Sequence, residues 1–300
     1  MQKIVVTTGK RFCDIDGLAC VVAYSEIPEV PTIPVVASTL NHSITKEIRE
    51  WPLNFLKHYE NGSDANYVIV DVSEPGQFPP FIKNGQIIEI YDHHLGFEDY
   101  WKEKLAEKSK IEEIGACATL VWEEFKLRKR ETKISNLSAN LLYTAILSNT
   151  LNFQSFWTTE RDKKAFEELK AYTRLPQNWT SIYYLDQERE VYQKPEVVLK
   201  NDTKIQNIKG MWCAFGQIEL WNSRDFIKQF SGLIEAVLRE YGSEAWILSS
   251  PCISEGRNYI YTKNKTLKDF ISRVMQVSFE GNIGVTRKIW TRKEILQKIQ

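Results

Sequence analysis

Short apolar runs recur along the first half of the chain, separated by stretches whose hydrophobic positions have helical spacing. Lys3-Ile4-Val5-Val6-Thr7, Tyr67-Val68-Ile69-Val70 and Ile87-Ile88-Glu89-Ile90-Tyr91 read as buried strands. Thr32 to Ala37 reads as a weaker strand because of Pro34. Leu18 to Tyr24 reads as the apolar face of a first helix, with Gly17 allowing a tight turn into it. Residues 116 to 129, 137 to 147 and 159 to 173 have helical periodicity, the last opening on the cap pattern Thr158-Thr159-Glu160-Arg161-Asp162. Strands alternating with helices in this way predict an α/β fold, a mostly parallel sheet with helices on both faces.

From Arg174 to Pro195 the pattern is mixed, with Pro176, Tyr183, Tyr184 and the charged run Asp186 to Glu190, and it reads as an inter-domain connection that contains some helix. Beyond it, strands over 203–208 and 211–217, a helix over 224–241, strands over 245–248 and 259–262 and a helix over 267–274 predict a second, smaller α/β domain. A chain of 300 residues exceeds what one core usually holds, so two domains are expected, 1–185 and 186–300.

Charge narrows the function classes. With 39 basic and 39 acidic residues the formal net charge is zero, so nothing favours a general attraction to a nucleic-acid backbone. The nine tryptophans are spread out and read as core or domain-interface residues, with no base-stacking platform. Cys13, Cys20, Cys117, Cys213 and Cys252 lie singly, without the close pairs of thiolate zinc sites, and read as reduced, mostly buried thiols. The early apolar run is short and Lys10 and Arg11 follow it, so neither a signal peptide nor a membrane span is expected, and the protein is placed in the cytoplasm.

The candidate chemistry sits where the strands stop. Asp92-His93-His94 ends one strand and uses half of the chain's four histidines. Asp71 ends another, and the first leads through a loop to Cys13-Asp14-Ile15-Asp16-Gly17. If these strands are parallel neighbours, their acids and imidazoles meet at one sheet edge, where open α/β sheets bind ligands. Carboxylates crowded there need cations, and carboxylate with imidazole suits manganese or cobalt better than calcium. His42 and His58 lie apart from these runs and read as surface or structural residues.

Asp14-Ile15-Asp16-Gly17, Val70-Asp71-Val72-Ser73-Glu74, Asp92-His93-His94, Gly115-Ala116-Cys117-Ala118-Thr119 and Ala145 to Phe153 occur in the order and spacing of the motifs of the DHH phosphoesterase superfamily. Within it the chain resembles the branch of family II inorganic pyrophosphatases and exopolyphosphatases, also at Glu74 to Gln77 and Gln154 to Asp162. No histidine follows His94, which sets it apart from the oligonucleotide-degrading branch. The resemblance implies a DHH domain, a DHH-associated domain and an active site in the cleft between them. It implies hydrolysis of pyrophosphate or short polyphosphate by metal-activated water, with Mn2+, or Co2+ or Mg2+, as one or two ions.

By resemblance Asp14 serves one ion, Asp16 and His93 the other, and Asp71 bridges them. Asp92 orients the loop and His94 faces substrate oxygen. Lys204, Arg292 and Lys293 grip phosphate, and a homodimer is a further possibility of the branch. Arg292 and Lys293 read equally as part of a solvated terminal helix. Two positions depart from the family pattern: Lys10 stands where it has a metal-binding histidine, and Asn149 where it has a metal-binding aspartate. Either Lys10 stands in for one metal and a single ion remains on Asp16, Asp71 and His93, or Lys10 is a solvated loop cation. The alternatives to a phosphoanhydride hydrolase are a silent phosphate- or nucleotide-binding protein and a phosphoesterase acting on a nucleotide or phosphorylated metabolite.

Overall fold

The computed structural model describes residues 3–60, 65–82, 86–208, 210–243 and 245–299, apart from the side chains of Lys293 and Ile299. The chain divides into two units, Met1–Phe153 with Trp157–Trp179, and Gln154–Phe156 with Thr180–Gln300.

The first unit runs β1 (Lys3–Thr7), β2 (Phe12–Cys13), α1 (Ile15–Tyr24), β3 (Thr32–Val35), β4 (Thr39–Leu40), α2 (Lys46–Arg49), β5 (Ala65–Val70), β6 (Ile87–Asp92), α3 (Glu98–Leu105), β7 (Ser109–Ile111), α4 (Cys117–Leu127), α5 (Asn136–Asn149) and α6 (Glu160–Leu169). Five strands form a wholly parallel sheet in the order β3-β1-β5-β6-β7. Alternation along the strands fills both faces. Val5, Tyr67, Ile69 and Ile90 pack with Trp101 of α3 on one side. On the other, Glu89 and Tyr91 of β6 meet Tyr24 of α1 and Arg128 at the end of α4.

That second face holds a buried polar knot. Glu124 accepts from Lys110 Nζ at 2.6 Å and Arg128 Nε at 2.5 Å, and a second Arg128 nitrogen reaches Glu89 at 2.6 Å. Register matters most for the site: Thr7 pairs with Ile69 and Val70 with Tyr91, so the residues that follow these strands leave the sheet at one edge.

Gly17 is not a turn residue. It lies inside α1, and a Cβ there would stand 3.1 Å from Asp71 Oδ2 and 3.2 Å from Cys13 Sγ. Its missing side chain makes room for the neighbouring acid.

The second unit takes up α7 (Trp179–Gln193) after its first residue, then α8 (Pro195–Asn201), β8 (Thr203–Ile208), β9 (Met211–Gln217), α9 (Ser223–Arg239), β10 (Ala245–Cys252), β11 (Arg257–Tyr261), α10 (Lys265–Met275), β12 (Ser278–Glu280), β13 (Ile283–Val285) and α11 (Arg292–Ile299). The boundary expected at 185 and 186 therefore falls within a helix. Trp179 belongs to the first unit because its indole donates to Thr144 Oγ1 at 2.9 Å and its ring lies 5.5 Å from Trp51. The sheet of the second unit has the order β12-β13-β11-β10-β9-β8, mixed in direction, with only β9 and β10 parallel. Helices α8 and α9 cover the face that carries Ala214, Trp246 and Leu248, while α10 and α11 cover Phe215, Ile247 and Ile260.

All five cysteines are free and buried. Among the described residues no helix is long and apolar enough to cross a membrane.

Candidate metal centre

Four carboxylates and two imidazoles leave the parallel sheet at its C-terminal edge. Asp14 is the N-cap of α1, its Oδ1 accepting from Gly17 N at 2.9 Å. Asp16, two residues into the same helix, is fully buried. Its Oδ2 accepts from Cys117 N and its Oδ1 from Ala118 N, both at 2.8 Å. These are the first amides of α4, whose own N-cap is Ala116 without a capping side chain. One carboxylate from α1 thus satisfies donors that α4 leaves unpaired.

Asp71 follows β5 with φ +59°, a left-handed conformation that aspartate tolerates better than most residues. Its amide donates to Tyr91 O at 2.8 Å, and its buried Oδ1 has no hydrogen-bond partner. Burial pushes the Asp71 carboxyl well above its ordinary range, and repulsion from Asp14 and Asp16 adds to the rise. Burial likewise lifts Asp16 to about 6 with Asp14 adding to it, while His93 and the α4 amides favour its charged form.

The histidines are held for different tasks. His93 Nδ1 faces Ile114 O at 3.1 Å, so it carries the proton and Nε2 keeps its lone pair. That Nε2 lies 3.4 Å from Asp71 Oδ1 and 3.8 Å from Asp16 Oδ2. His94 uses Nδ1 on Asp92 Oδ1 at 2.8 Å, and the same oxygen accepts the His93 and His94 amides at 2.8 and 3.1 Å. Desolvation at the crowded sheet edge works against charge on both partners, but their mutual hydrogen bond prevails, holding Asp92 below and His94 above the ordinary value. The His94 ring is 64% exposed, open to a bound molecule.

Asp71, His93 and His94 each bring a ligand atom within 4.8 Å of the others. Asp92 holds His94 Nδ1 and raises the affinity of the ring for a proton, so His94 can serve as a proton carrier. The unpartnered Asp71 oxygen, the free His93 Nε2 and the acids Asp14 and Asp16 form an oxygen-and-imidazole donor set that fits manganese, cobalt or magnesium.

The remaining expected residues fare differently. The Lys10 side chain is exposed and, among the described residues, makes no ion pair with these acids. Asn149 ends α5 with its amide nitrogen buried and unpartnered. In the second unit Lys204 is exposed and lines a cavity of about 510 Å³ with Gln206, Gln217, Thr291 and Arg292. The Arg292 guanidinium is already engaged: Nη1 donates to Asp202 O at 2.6 Å and Nη2 lies 2.9 Å from Asp202 Oδ1. It is a fastening between the C-cap of α8 and the start of α11 rather than a free phosphate ligand. The side chain of Lys293 lies outside the described residues. His42 is half-buried, and His58 is exposed with its ring 6.4 Å from Phe81.

Asp162 is the residue whose weight the sequence understates. Fully buried, it accepts from Gly115 N at 3.0 Å, Ala116 N at 3.3 Å and Thr119 Oγ1 at 2.7 Å. It also closes a capping box with Thr159. A Cβ on Gly115 would lie 2.8 Å from its Oδ2. Asp162 therefore anchors the loop whose Ile114 carbonyl fixes His93. The Thr159-to-Asp162 spacing signalled the cap, but nothing local signalled the second partner.

No protein-family model matches the chain. Curated proteins of Clostridium acetobutylicum and Methanothrix thermoacetophila, the first assigned and the second named as manganese-dependent inorganic pyrophosphatase, are 24% and 22% identical to it over 305 residues. In both cases the similarity covers 98% of this chain and 96% of the relative. The chain resembles these pyrophosphatases over its whole length.

Solved structures agree at the level of fold. A protein of Methanococcus jannaschii assigned to the family II inorganic pyrophosphatases superposes with a TM-score of 0.69 at 19% identity, covering 99% of this chain and 98% of that one. An exopolyphosphatase-related protein of Bacteroides fragilis gives 0.55 at 13% identity, covering 99% and 90%.

Proposed function

We propose that the protein is a divalent-metal-dependent phosphohydrolase that cleaves phosphoanhydrides, pyrophosphate or short polyphosphate, in the cytoplasm. The observation that carries this reading is the orphaned Asp71 carboxylate oxygen, buried beside a lone pair on His93 Nε2 and repelled by two further acids. Such a group is stable in its charged form only with a cation. Full-length similarity to manganese-dependent pyrophosphatases supports the same conclusion, and five free thiols suit a reducing compartment.

In this reading Asp14, Asp16, Asp71 and His93 hold the metal. A bound divalent ion supplies charge neutralisation and makes water more acidic. Asp92 keeps His94 protonated at Nδ1 and turns its exposed edge toward substrate oxygen, which accepts a hydrogen bond or a proton there. Within the second unit, Lys204 offers an ammonium to a phosphate in the cavity that it lines, and Arg292 shapes the wall of that cavity through Asp202.

The test is phosphate release from pyrophosphate, tripolyphosphate and nucleotides with manganese, cobalt or magnesium, against Asp71→Ala. Metal-dependent release that Asp71→Ala abolishes is expected. Release equal in the variant would sink the reading.

Exposed Lys10 and the amide at Asn149 favour one alternative, a silent phosphate-binding protein. Ligand-induced stabilisation without turnover under any of the three metals would select it.

A further inference from the structure

Asn149 carries a donor that the fold leaves unused. Its side-chain nitrogen is buried and has no hydrogen-bond partner. Withholding an acceptor from a buried amide is unfavourable, so such a group in a native fold calls for a ligand or a function.

The packing of α5 on α1 sets where Asn149 stands. The two helices run in opposite directions. Glu26, just past the end of α1, accepts from Ser135 N at 2.9 Å and Ser135 Oγ at 2.7 Å at the start of α5, and from Ser138 Oγ at 2.5 Å within it. Asn149 lies eleven residues beyond Ser138, and Ile15 lies eleven residues before Glu26. At 1.5 Å per residue both distances are about 16 Å, so Asn149 comes level with Ile15, between Asp14 and Asp16. A second contact agrees. Thr150 is fully buried beside Gly115, where an added Cβ would lie 2.8 Å from Thr150 Cγ2. Gly115 adjoins Ile114, whose carbonyl faces His93 Nδ1.

The end of α5 is also held in place. Leu151, Asn152 and Phe153 have φ of +51°, +55° and +62°, three left-handed residues in succession. Such a turn is costly without glycine and persists only where the surroundings impose it. Asn152 N donates to Leu147 O at 2.9 Å and Phe153 N to Thr150 Oγ1 at 3.1 Å. The amide of Asn149 is thus presented at a fixed point beside the acids of the metal centre.

Once a cation is bound, the oxygens of Asp16 and Asp71 serve it. A phosphate drawn to the same cation brings oxygens that can only accept, and the unused donor of Asn149 matches them. A carboxylate at 149 would repel those oxygens unless a further cation lay between, whereas an amide can meet them directly. We propose that Asn149 is a substrate-binding residue whose Nδ2 donates to a phosphate oxygen of the anion held at the metal centre. This assignment rests on the phosphohydrolase reading.

Calorimetric titration of the Mn2+-loaded full chain with methylenediphosphonate, which resembles pyrophosphate but lacks a P–O–P bridge to cleave, tests the contact without turnover. Asn149→Ala should weaken the diphosphonate at least about tenfold, as expected for a lost hydrogen bond to a charged acceptor. Asn149→Leu, of nearly the same shape but without the donor, should lose as much. Mn2+ affinity, followed by electron paramagnetic resonance, should stay within about twofold. The urea midpoint of the metal-free Asn149→Ala chain should not fall, because the donor removed has no partner in the fold. A residue with a merely structural role would lower that midpoint, and a metal ligand would lower the Mn2+ affinity; either result would overturn the proposal. Wild type that binds the diphosphonate and variants that bind it equally well would overturn the proposal alone. Wild type that fails to bind it with Mn2+ would overturn the phosphohydrolase reading and the proposal with it.

Discussion

Acid should release the metal before it unfolds the protein. The Asp16 carboxyl titrates at about 6 instead of 3.8, a displacement worth about 3 kcal/mol at roughly 1.36 kcal/mol per pH unit. The sign follows from the raised value. Above 3.8 the unfolded chain sheds a proton that the metal-free fold retains, so the destabilisation from Asp16 grows as pH rises and is complete above about 6. A bound cation relieves it, and protons must therefore compete with the cation. At pH 5 only about a tenth of Asp16 would be ionised, which weakens binding about tenfold. Asp71, raised for the same reasons, adds to the loss in the same direction. Titration of Mn2+ followed by electron paramagnetic resonance at pH 5, 6 and 7.5 measures this directly. Calorimetry in buffers of different ionisation enthalpy counts the protons released near pH 6. Asp71→Asn is the control, since asparagine also accepts φ +59° and removes only the charge. An Mn2+ affinity constant from pH 5 to 7.5 would refute the argument.

Gly115→Ala should destabilise the first unit by about 2 kcal/mol in urea titrations, because its Cβ would press within 2.8 Å of both Asp162 Oδ2 and Thr150 Cγ2. Gly17→Ala should leave the fold standing but weaken Mn2+ binding at least about threefold, since its Cβ would crowd Asp71 Oδ2 at 3.1 Å; unchanged affinity would remove Gly17 from the site. Arg128→Met should cost about 2 to 3 kcal/mol at pH 7, below the usual figure for a broken buried pair because the guanidinium is 34% exposed. Burial would raise Glu124, but Lys110 and Arg128 hold it below 4.5, so its contribution is present above 4.5 and fades as acid passes its folded value. The gap between wild type and Arg128→Met should accordingly narrow at low pH.

The strands of the first unit were legible because they are apolar on both sides, as a sheet covered on both faces requires: β1 coincides with the run read from the sequence. Strands β8 and β9 matched for a different reason, a turn at Gly210 between two antiparallel neighbours. Strand β10 was read too short. Ser249, Ser250 and Pro251 look like a strand end, but the two serines are fully buried, and Ser250 Oγ donates to Ile218 O and bonds with Ser223 Oγ. Those partners lie roughly thirty residues away, beyond the reach of local pattern. The site divides the same way. Asp14, Asp16, Asp71, Asp92 and His93 announced themselves at strand ends, where chain order and topology coincide. The engagement of Arg292 by Asp202 and the dual role of Asp162 depend on contacts across 90 and 47 positions, which spacing does not encode.

In the proposed reading, charge and ligand count together set the number of ions. Asp92 is matched by His94, which leaves Asp14, Asp16 and Asp71 as three acids acting on one another. The family pattern would add a fourth acid at 149 and a neutral imidazole at 10, and this chain has an amide and an exposed ammonium instead. Among the described residues Lys10 makes no ion pair with the three acids, and in the proposed reading it does not replace an ion. In that reading its effect, with that of Asn149, is to withdraw ligands from the second position that the resemblance implies. One divalent ion leaves the three acids with one residual negative charge; two would leave one positive charge with two fewer protein ligands to hold it. In the proposed reading the resting protein therefore binds one ion tightly, and a second enters only with an anionic substrate that restores the balance. Metal analysis after gel filtration should return one ion per chain without pyrophosphate. Two tightly held ions in its absence would mean that ligands other than Lys10 and Asn149 complete the second position.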